Sequence, residues 1–444
     1  MLMRTGLDVT ALRRREFSRL DATDSVYLDY AGSALYPESL VRRDAQRLQQ
    51  RVLGNPHSES EPSLASTGSL EAARSLTLRF FDAAPSEYDV VFTANATGAM
   101  RILAEAFPFR AGSRLVLSAD NHNSVNGLRV PAERRGAAVT YVPLDENLRG
   151  LDPQPWLAPA TQPSLFAFPA QSNFSGVRHP LRWVTDAQAL GYHVLLDAAA
   201  YVPSSPFSLT DAPADFVSIS FYKMFGYPTG VGALLVRREA LGMLERDYFG
   251  GGTVQFVSVQ NNDLSRLRDG AAAFEDGTPN FLAMPAVCDG LRWLSGVGMS
   301  SIQQHVGRLT SALLDRFARL GDGVCVYGPS DAQDRGGNIA FNLCSRGRAV
   351  DYEVVEAAAR RRGIAIRGGC FCNPGAAEHA FGFNAADSRR CFEGEFSIPR
   401  FRACVGGHAV GALRASLGVA TTDDDLDRLL ELVTELTEKT EVTG

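Results

Sequence analysis

The sequence predicts an α/β protein: a mostly parallel sheet sandwiched by helices, followed by a smaller α+β C-terminal domain. Between residues 90 and 236, apolar and β-branched runs alternate with amphipathic helical patterns. That alternation is typical of a parallel sheet whose two faces are both covered by helices. After about residue 300 the strand-like runs weaken, and Gly, Pro and Cys become frequent, which indicates a second and smaller unit.

The elements are predicted from the periodicity of their apolar residues. Strands of the large domain are the β-branched runs at 90–92, 114–118, 138–142, 165–168, 193–197, 216–220 and 231–236. Helical spacing follows at 98–107, 125–135 and 181–189. The smaller unit is predicted as helix 301–320, strands 324–327 and 338–343, helix 350–362, strand 363–367, a long polar segment 368–399 and helix 423–438. We therefore expect an N-terminal segment 1–45 packed on the small domain, a large domain 46–300 and a small domain 301–444.

Composition excludes several classes of protein. An apolar content of 45% and a charged content of 21% are those of an ordinary globular chain. The net charge of −6 gives no basic surface for nucleic acid. We find no apolar run of the roughly 20 residues that a membrane span needs, and no signal peptide. Seven cysteines argue against a disulfide framework and for a reducing compartment, so a cytoplasmic protein is expected.

Three polar residues follow two successive predicted strands. Asp197 ends one strand, Ser220 ends the next, and Lys223 comes directly after it. In sheets of this kind, ligands bind beyond the carboxyl ends of the strands. The sequence therefore predicts a binding site at this edge.

Lysine is nearly absent from the chain. Only two of the 44 basic residues are lysines, Lys223 and the C-terminal Lys439. Arginine replaces lysine at most solvated positions but stays protonated, so it cannot act as an amine nucleophile. Retention of Lys223 therefore indicates a task that needs a deprotonatable amine, such as covalent attachment of a carbonyl cofactor. Composition drift that spared one lysine is the alternative.

Five motifs in this order carry a resemblance. They are Phe166-Ala-Phe-Pro-Ala-Gln-Ser-Asn-Phe-Ser-Gly, Leu195-Leu-Asp-Ala-Ala-Ala, Ser220-Phe-Tyr-Lys-Met-Phe-Gly-Tyr-Pro-Thr-Gly, Phe274-Glu-Asp-Gly-Thr and Gly369-Cys-Phe-Cys-Asn-Pro-Gly. Together they resemble fold-type-I pyridoxal 5'-phosphate enzymes of the class V aminotransferase and cysteine desulfurase group. They are most similar to the N-terminal cysteine-desulfurase-like domain of molybdenum-cofactor sulfurases. The resemblance covers residues 27–418, nearly the whole chain.

The resemblance implies pyridoxal 5'-phosphate as cofactor. Lys223 would bind it covalently and move the α-proton of an amino acid, and Asp197 would hold the ring nitrogen protonated. His122 would stack on the ring. Without the resemblance, Asp197 could be a turn residue at a strand end and His122 a surface histidine.

The phosphate ligands come from the same resemblance. Thr97 and the backbone amide of Gly98 open a helix after a strand, which suits an anion. Ser220 and Tyr222 match the family's other phosphate contacts. Thr278 would reach the phosphate of a neighbouring subunit, which implies a homodimer. Plain helix capping is the alternative for Thr97 and Ser220.

The substrate residues are predicted less directly. Arg414 stands where the family holds the substrate carboxylate, and Asn173 is expected near the substrate or cofactor. Cys372 aligns with the cysteine that receives sulfur as a persulfide, with Cys370 as the second candidate. The Gly-, Asn- and Pro-rich segment around them suggests a mobile loop.

Two alternatives compete for these cysteines. They could be unreactive structural residues. A zinc site would need more ligands than Cys391 and Cys404 supply at their spacing, so no metal is expected.

The expected reaction takes sulfur from L-cysteine, or a related amino acid, as a Cys372 persulfide and releases alanine. A separate protein or small molecule would accept the sulfur, because the chain lacks the C-terminal domain of molybdenum-cofactor sulfurases. Ala200, Tyr222 and Ala377 depart from the cysteine desulfurase or sulfurase motifs. Another class V enzyme, a C–S lyase, aminotransferase or epimerase with an idle loop cysteine, is the alternative. A partner-binding scaffold without activity is a further one.

Overall fold

The structure, a computed structural model, describes residues 6–345, 348–395, 397–406 and 409–442. Helices lie at Val9–Glu16 (α1), Ser18–Ala22 (α2), Glu38–Gln50 (α3), Glu61–Phe80 (α4), Ala96–Ala106 (α5), Asn123–Asn126 (α6), Arg129–Arg134 (α7), Trp183–Gln188 (α8), Phe221–Phe225 (α9), Arg238–Gly242 (α10), Met284–Val297 (α11), Met299–Arg319 (α12), Tyr352–Arg361 (α13), Pro374–Phe381 (α14), Ala385–Phe392 (α15), Ile398–Cys404 (α16) and Asp423–Val442 (α17). Strands lie at Val26–Tyr27 (β1), Tyr88–Thr93 (β2), Arg114–Ser118 (β3), Ala138–Val142 (β4), Leu165–Pro169 (β5), His193–Asp197 (β6), Phe216–Ser220 (β7), Gly232–Arg237 (β8), Val254–Val257 (β9), Ser265–Leu267 (β10), Val324–Tyr327 (β11), Asn338–Ser345 (β12), Arg348–Ala349 (β13), Ile364–Ala365 (β14), Arg367–Gly369 (β15) and Ala412–Ser416 (β16).

The large sheet contains seven strands within the described residues, in the order β2-β8-β7-β6-β5-β3-β4. Strands β3 to β7 pair in parallel, and β8 pairs antiparallel with both of its neighbours. The predicted mostly parallel α/β fold is confirmed.

Both faces of this sheet are buried. On β5, Phe166 and Phe168 belong to one hydrophobic cluster, while Leu165 and Ala167 belong to the cluster on the opposite face. Each of the two phenylalanines is fully buried and contributes about 1.5–3 kcal/mol to folding by leaving water. Apolar residues at consecutive positions are what a sheet covered on both sides requires.

Two predicted segments differ in the structure. The helix expected at 125–135 is two short helices, α6 and α7, with Gly127 between them. Pro131 lacks the amide hydrogen that would continue one helix through this region. The polar segment 368–399 contains α14, α15 and the start of α16.

The second sheet is antiparallel and has the order β11-β12-β16-β15, with β13 paired to β12. Strand β15 leads directly into Cys370, and β16 carries Arg414. Arg367 of β15 lies directly opposite Arg414 in the strand register. Two arginines and the start of the cysteine loop thus lie together on the adjacent strands β15 and β16 of the small sheet.

The N-terminal segment packs against elements of the predicted small domain. Strand β1 pairs in parallel with β14, and Arg13 of α1 binds Asp425 of α17 through both carboxylate oxygens, at 2.6 and 3.3 Å. The domain limits stay predictions, and their outer ends at residues 1 and 444 lie outside the described residues.

One disulfide is present, contrary to the expectation from the cysteine count. Cys391 of α15 and Cys404 of α16 are bonded, with Cα atoms 5.6 Å apart. The spacing of 13 residues gave no sign that two consecutive helices would bring them together. Among the described residues, no helix is long and apolar enough to span a membrane.

We expect Arg13→Ala to destabilise the protein by about 3 kcal/mol, because it leaves the buried Asp425 carboxylate without its main partner. Arg308→Ala is the matched control, since its bidentate pair with Asp423 is about half exposed and is worth about 1 kcal/mol or less. Urea unfolding of both variants measures the difference. Equal losses would contradict a structural role for the Arg13 pair.

Candidate active site

A cavity of about 160 Å³ opens at the carboxyl edge of the large sheet. The loops after β3, β5, β6 and β7 and the start of α5 supply its walls. It brings together seven of the predicted site residues: Thr97, His122, Asn173, Asp197, Ser220, Tyr222 and Lys223. Asn95, Ser124 and Gln171 also line the cavity and were not predicted as site residues, although Gln171 lies within the quoted motif that begins at Phe166.

Lys223 is placed by a short helix that ends abruptly. Gly226 terminates α9 with a φ of +77°, and a Cβ added there would lie 2.3 Å from the backbone nitrogen of Tyr36. Only glycine fits this close approach. Burial lowers the pKa of Lys223, and the nearby Asp197 carboxylate opposes that shift. The amine is therefore easier to deprotonate than a solvated lysine.

The Asp197 carboxylate is held at one oxygen. Its Oδ1 accepts hydrogen bonds from the Ala199 amide at 3.1 Å and from Ser218 Oγ at 3.0 Å. Within the described residues, Oδ2 receives no hydrogen bond, and the side chain lines the cavity. That oxygen can accept a hydrogen bond from a protonated ring nitrogen, as the predicted role requires.

The start of α5 has one amide available for an anion. Ser220 Oγ accepts from the Ala96 amide at 2.9 Å, and Asn95 Oδ1 accepts from the Gly98 amide at 3.0 Å. Among the hydrogen bonds of the described residues, the Thr97 amide has no acceptor. Asn95 caps the Gly98 amide in this structure, and phosphate binding by Gly98 stays a prediction. The helix start fits a phosphate through Thr97.

His122 has a defined tautomer when it is neutral. Its Nδ1 accepts from the Ser124 amide at 3.1 Å, so the ring hydrogen is on Nε2. Ser124 Oγ also lies 3.0 Å from Nδ1 and 2.8 Å from Thr97 Oγ1. Burial lowers the pKa of His122. A neutral ring with a fixed face can stack on a planar cofactor or donate from Nε2.

Arg414 is almost completely buried beside the cavity. It donates from Nη1 to the Asn173 carbonyl at 2.8 Å and from Nη2 to Asp29 at 3.3 Å, and its guanidinium lies over the ring of Phe371. Its Nε has no partner among the described residues. That atom is itself buried and Arg414 does not line the cavity, so its role in holding the substrate carboxylate stays a prediction.

Asp29 separates Arg414 from the arginine opposite it. Arg367 donates to Asp29 Oδ2 at 2.6 Å, so one carboxylate is bound by two guanidinium groups. The two arginines would otherwise repel each other across the strand pair. Sequence reasoning missed Asp29 and Arg367 as site residues, although both lie in the stretch of chain that carries the resemblance.

The two loop cysteines differ in environment. Cys370 is half-buried and its Sγ donates to the Val410 carbonyl at 3.1 Å. Burial raises the pKa of the Cys370 thiol to about 11. Cys372 is exposed, and its charge acts on Lys223 and Arg414 across the site. These environments favour Cys372 as the reactive thiol.

The cysteine loop is anchored to the large domain in this structure. The Cys372 carbonyl accepts from the Asn123 amide at 2.7 Å, and the Phe371 carbonyl accepts from Asn173 Nδ2 at 2.6 Å. Helix α14 then begins at once, and a Cβ on Gly375 would lie 2.1 Å from the Ala119 carbonyl oxygen. Asn and Gly serve here as anchors and close contacts, and mobility of the loop stays a prediction.

Thr278 does not line the cavity of its own chain. It accepts from Asn55 Nδ2 at 3.1 Å and borders a separate groove of about 1120 Å³ that also includes Gly98. Among the described residues, no group of three His, Cys, Asp or Glu side chains could hold a metal ion.

The comparisons with known proteins agree with this architecture. The aminotransferase class-V family matches residues 26–429. The chain belongs to that family and is therefore an enzyme of the class V aminotransferase and cysteine desulfurase group.

The particular relatives are molybdenum cofactor sulfurases. The chain is 36% identical over 452 residues to the Homo sapiens protein, covering 95% of this chain and 50% of that one. It is 35% identical over 458 residues to the Danio rerio protein, covering 96% and 55%. The chain thus spans about half the length of these relatives.

Solved structures show the same fold. A cysteine desulfurase from Thermococcus onnurineus NA1 superposes with a TM-score of 0.81 at 22% identity, covering 99% of this chain and 100% of that one. The Escherichia coli cysteine desulfurase CsdA gives a TM-score of 0.78 at 24% identity, covering 98% and 99%. The fold is the type I fold of pyridoxal-phosphate-dependent enzymes, as predicted.

Alkylation should separate the two loop thiols. At about pH 8, iodoacetamide should modify exposed Cys372 and leave Cys370 largely unmodified, because the thiolate is the reacting form. Labelling of Cys370 should rise only as the pH approaches its raised pKa of about 11. Peptide mass spectrometry after timed alkylation measures both rates. Faster labelling of Cys370 at the lower pH would contradict this assignment.

Proposed function

We propose that this chain is a pyridoxal-phosphate-dependent cysteine desulfurase that transfers the sulfur of L-cysteine to Cys372 and releases alanine. One observation carries the proposal: an exposed thiol stands beside a cavity that contains both a low-pKa lysine and a carboxylate with a free oxygen. Lys223 and Asp197 suit the cofactor, and Cys372 is the group that selects desulfuration.

The cavity residues would hold the cofactor as follows. Asp197 Oδ2 would bind the ring nitrogen, His122 would lie against the ring, and Thr97 with Ser220 and Tyr222 would bind the phosphate. When bound, pyridoxal phosphate supplies an electron-withdrawing ring that stabilises negative charge on the carbons of an attached amino acid.

The chain's own residues perform the remaining steps. Arg414 would bind the substrate carboxylate, with Asn173 beside it. Lys223, as a neutral amine, would take the α-proton and return it. The Cys372 thiolate would attack the substrate sulfur, so that an S–S bond forms and the Cβ–S bond breaks. The electron pair stays on Cβ, which gains a proton and becomes the methyl group of alanine.

The sulfur would leave by a second transfer. Cys372 is exposed, so a thiol of another protein or of a small molecule can reach its persulfide directly. The relatives are molybdenum cofactor sulfurases, and this chain matches about half of their length. Because the Cys372 thiol is exposed, we propose a separate sulfur acceptor and do not assign its identity.

A homodimer would complete the site. Thr278 faces a groove of about 1120 Å³ outside its own chain's cavity, and Gly98 at the start of α5 lies at the same groove. A second copy seated there would bring its Thr278 towards the phosphate position.

Incubation with L-cysteine and a thiol reductant tests the proposed reaction. We expect alanine in the medium and, without reductant, an added sulfur atom on Cys372 in the peptide mass spectrum. Cys372→Ser should abolish both products and keep the spectral change on substrate binding, because the cavity is unaltered. Cys370→Ser is the control and should retain most of the activity, since its thiol is bound to Val410.

Products other than alanine and a Cys372 persulfide would indicate a different reaction or a different reactive thiol. Pyruvate in place of alanine would identify a C–S lyase, and persulfide on Cys370 would reverse the assignment of the two thiols. A cofactor-loaded protein without turnover would refute the desulfurase proposal.

Subunit complementation tests the dimer. Lys223→Ala removes the amine, and Thr278→Ala should lower phosphate affinity by about 1.5–3 kcal/mol, the value of a hydrogen bond to a charged group. A mixed dimer of the two variants contains one complete site only if Thr278 acts across the interface. Co-expression should then restore turnover at limiting cofactor above that of the Thr278→Ala homodimer. No increase would show that Thr278 does not act in the partner's site.

A further inference from the structure

We propose that Asp120 and Asn373, supported by His179, are positioning residues that fix the cysteine loop, residues 370–373, against the large domain. Their task is to hold Cys372 at the cavity. This inference rests on the proposed function, because it assigns the residues that place the sulfur-accepting thiol. None of the three lines the cavity.

Asp120 is a fully buried carboxylate with partners on both oxygens. Oδ2 lies 2.8 Å from His179 Nε2. Oδ1 accepts from Ser172 Oγ at 2.7 Å and from Asn373 Nδ2 at 2.8 Å. His179 is itself buried and stacks on Trp183. Because a buried charge without partners is very costly, this arrangement fixes the side chains around it.

Asn373 connects this carboxylate to the loop. It follows Cys372 directly and has no exposed surface. Its Nδ2 donates to the Asp120 carbonyl at 3.0 Å and lies 3.1 Å from Asn173 Oδ1, in addition to the Asp120 carboxylate contact. Its Oδ1 accepts from the Ala376 amide at 3.2 Å and so caps α14.

The loop needs an anchor because its backbone is unfavourable. Phe371 and Cys372 have φ values of +54° and +55°, in the left-handed region that costs about 1–2 kcal/mol for each residue other than glycine. Such conformations persist only where the surroundings determine them. Here the Asn373 amide also donates to the Cys370 carbonyl at 3.0 Å and closes the turn.

Asn373→Ala, compared with Asn384→Ala, tests the proposal. Asn384 caps the next helix through the Ala386 and Asp387 amides, but it is exposed and far less connected. For Asn373→Ala we expect persulfide formation in a single turnover to slow about 100-fold, the cost of misplacing a reacting group by about 1 Å. The KM of Asn373→Ala for L-cysteine should stay near the wild-type value. The control Asn384→Ala should form the persulfide at nearly the wild-type rate.

Hydrogen exchange gives a readout that does not depend on turnover. In Asn373→Ala, the peptides covering 119–126 and 370–377 should exchange faster, because the Asn123 amide loses a fixed acceptor at Cys372. Asn373→Asp keeps the cap on α14, so the protein should remain folded. It places a second carboxylate against Asp120, and so it should slow persulfide formation and speed exchange as Asn373→Ala does. Adding Asp120→Asn to Asn373→Asp restores a donor and acceptor pair and should recover part of the rate.

The outcomes separate the two proposals. Persulfide rates and exchange in Asn373→Ala equal to those of Asn384→Ala would overturn the positioning role. Absence of persulfide in the wild-type protein would refute the proposed function, and the exchange measurement would still decide whether Asn373 and Asp120 fix the loop.

Discussion

Parallel pairing of β5, β6 and β7 is the constraint on which the site depends. The register sets Pro169 beside Asp197 and Asp197 beside Ser218, so β5 and β6 end at one level and β7 continues to Ser220. The residues that line the cavity lie at the carboxyl ends of the strands, in the segments that directly follow those ends, or at the start of α5. A slip of one residue between β6 and β7 would turn Asp197 to the opposite face of the sheet.

Local patterns in the sequence accounted for the large sheet and for the residues at its edge. Apolar runs predicted its seven strands, and the rarity of lysine singled out Lys223. Contacts between distant segments were not predictable in the same way. The Cys391–Cys404 bond and the placement of Asp29 between two arginines depend on packing that no local period records. Composition also did not reveal the contacts that anchor the cysteine loop, because Asn and Gly are typical both of mobile loops and of anchored turns.

The small sheet contributes by a different principle. Its antiparallel register sets Arg367 opposite Arg414. The repulsion between these two guanidinium groups is offset because Asp29 lies between them and binds both. The Arg367 guanidinium is then half exposed and bound to Asp29 through Nε and Nη2, whereas the Arg414 guanidinium is buried and its Nε has no partner among the described residues. The small sheet thus places a buried arginine and the cysteine loop beside a cavity that is lined by residues of the large domain.

The setting of Cys370 has a consequence for sulfur retention. A Cys370 thiolate could attack a persulfide on Cys372, form a Cys370–Cys372 disulfide and release the outer sulfur atom as hydrosulfide. With a pKa of about 11, only about one Cys370 in ten thousand is ionised at neutral pH. Its hydrogen is also given to the Val410 carbonyl. The neighbouring cysteine is thereby kept from discharging sulfur into solvent, and a sulfane atom on Cys372 would wait for an external acceptor.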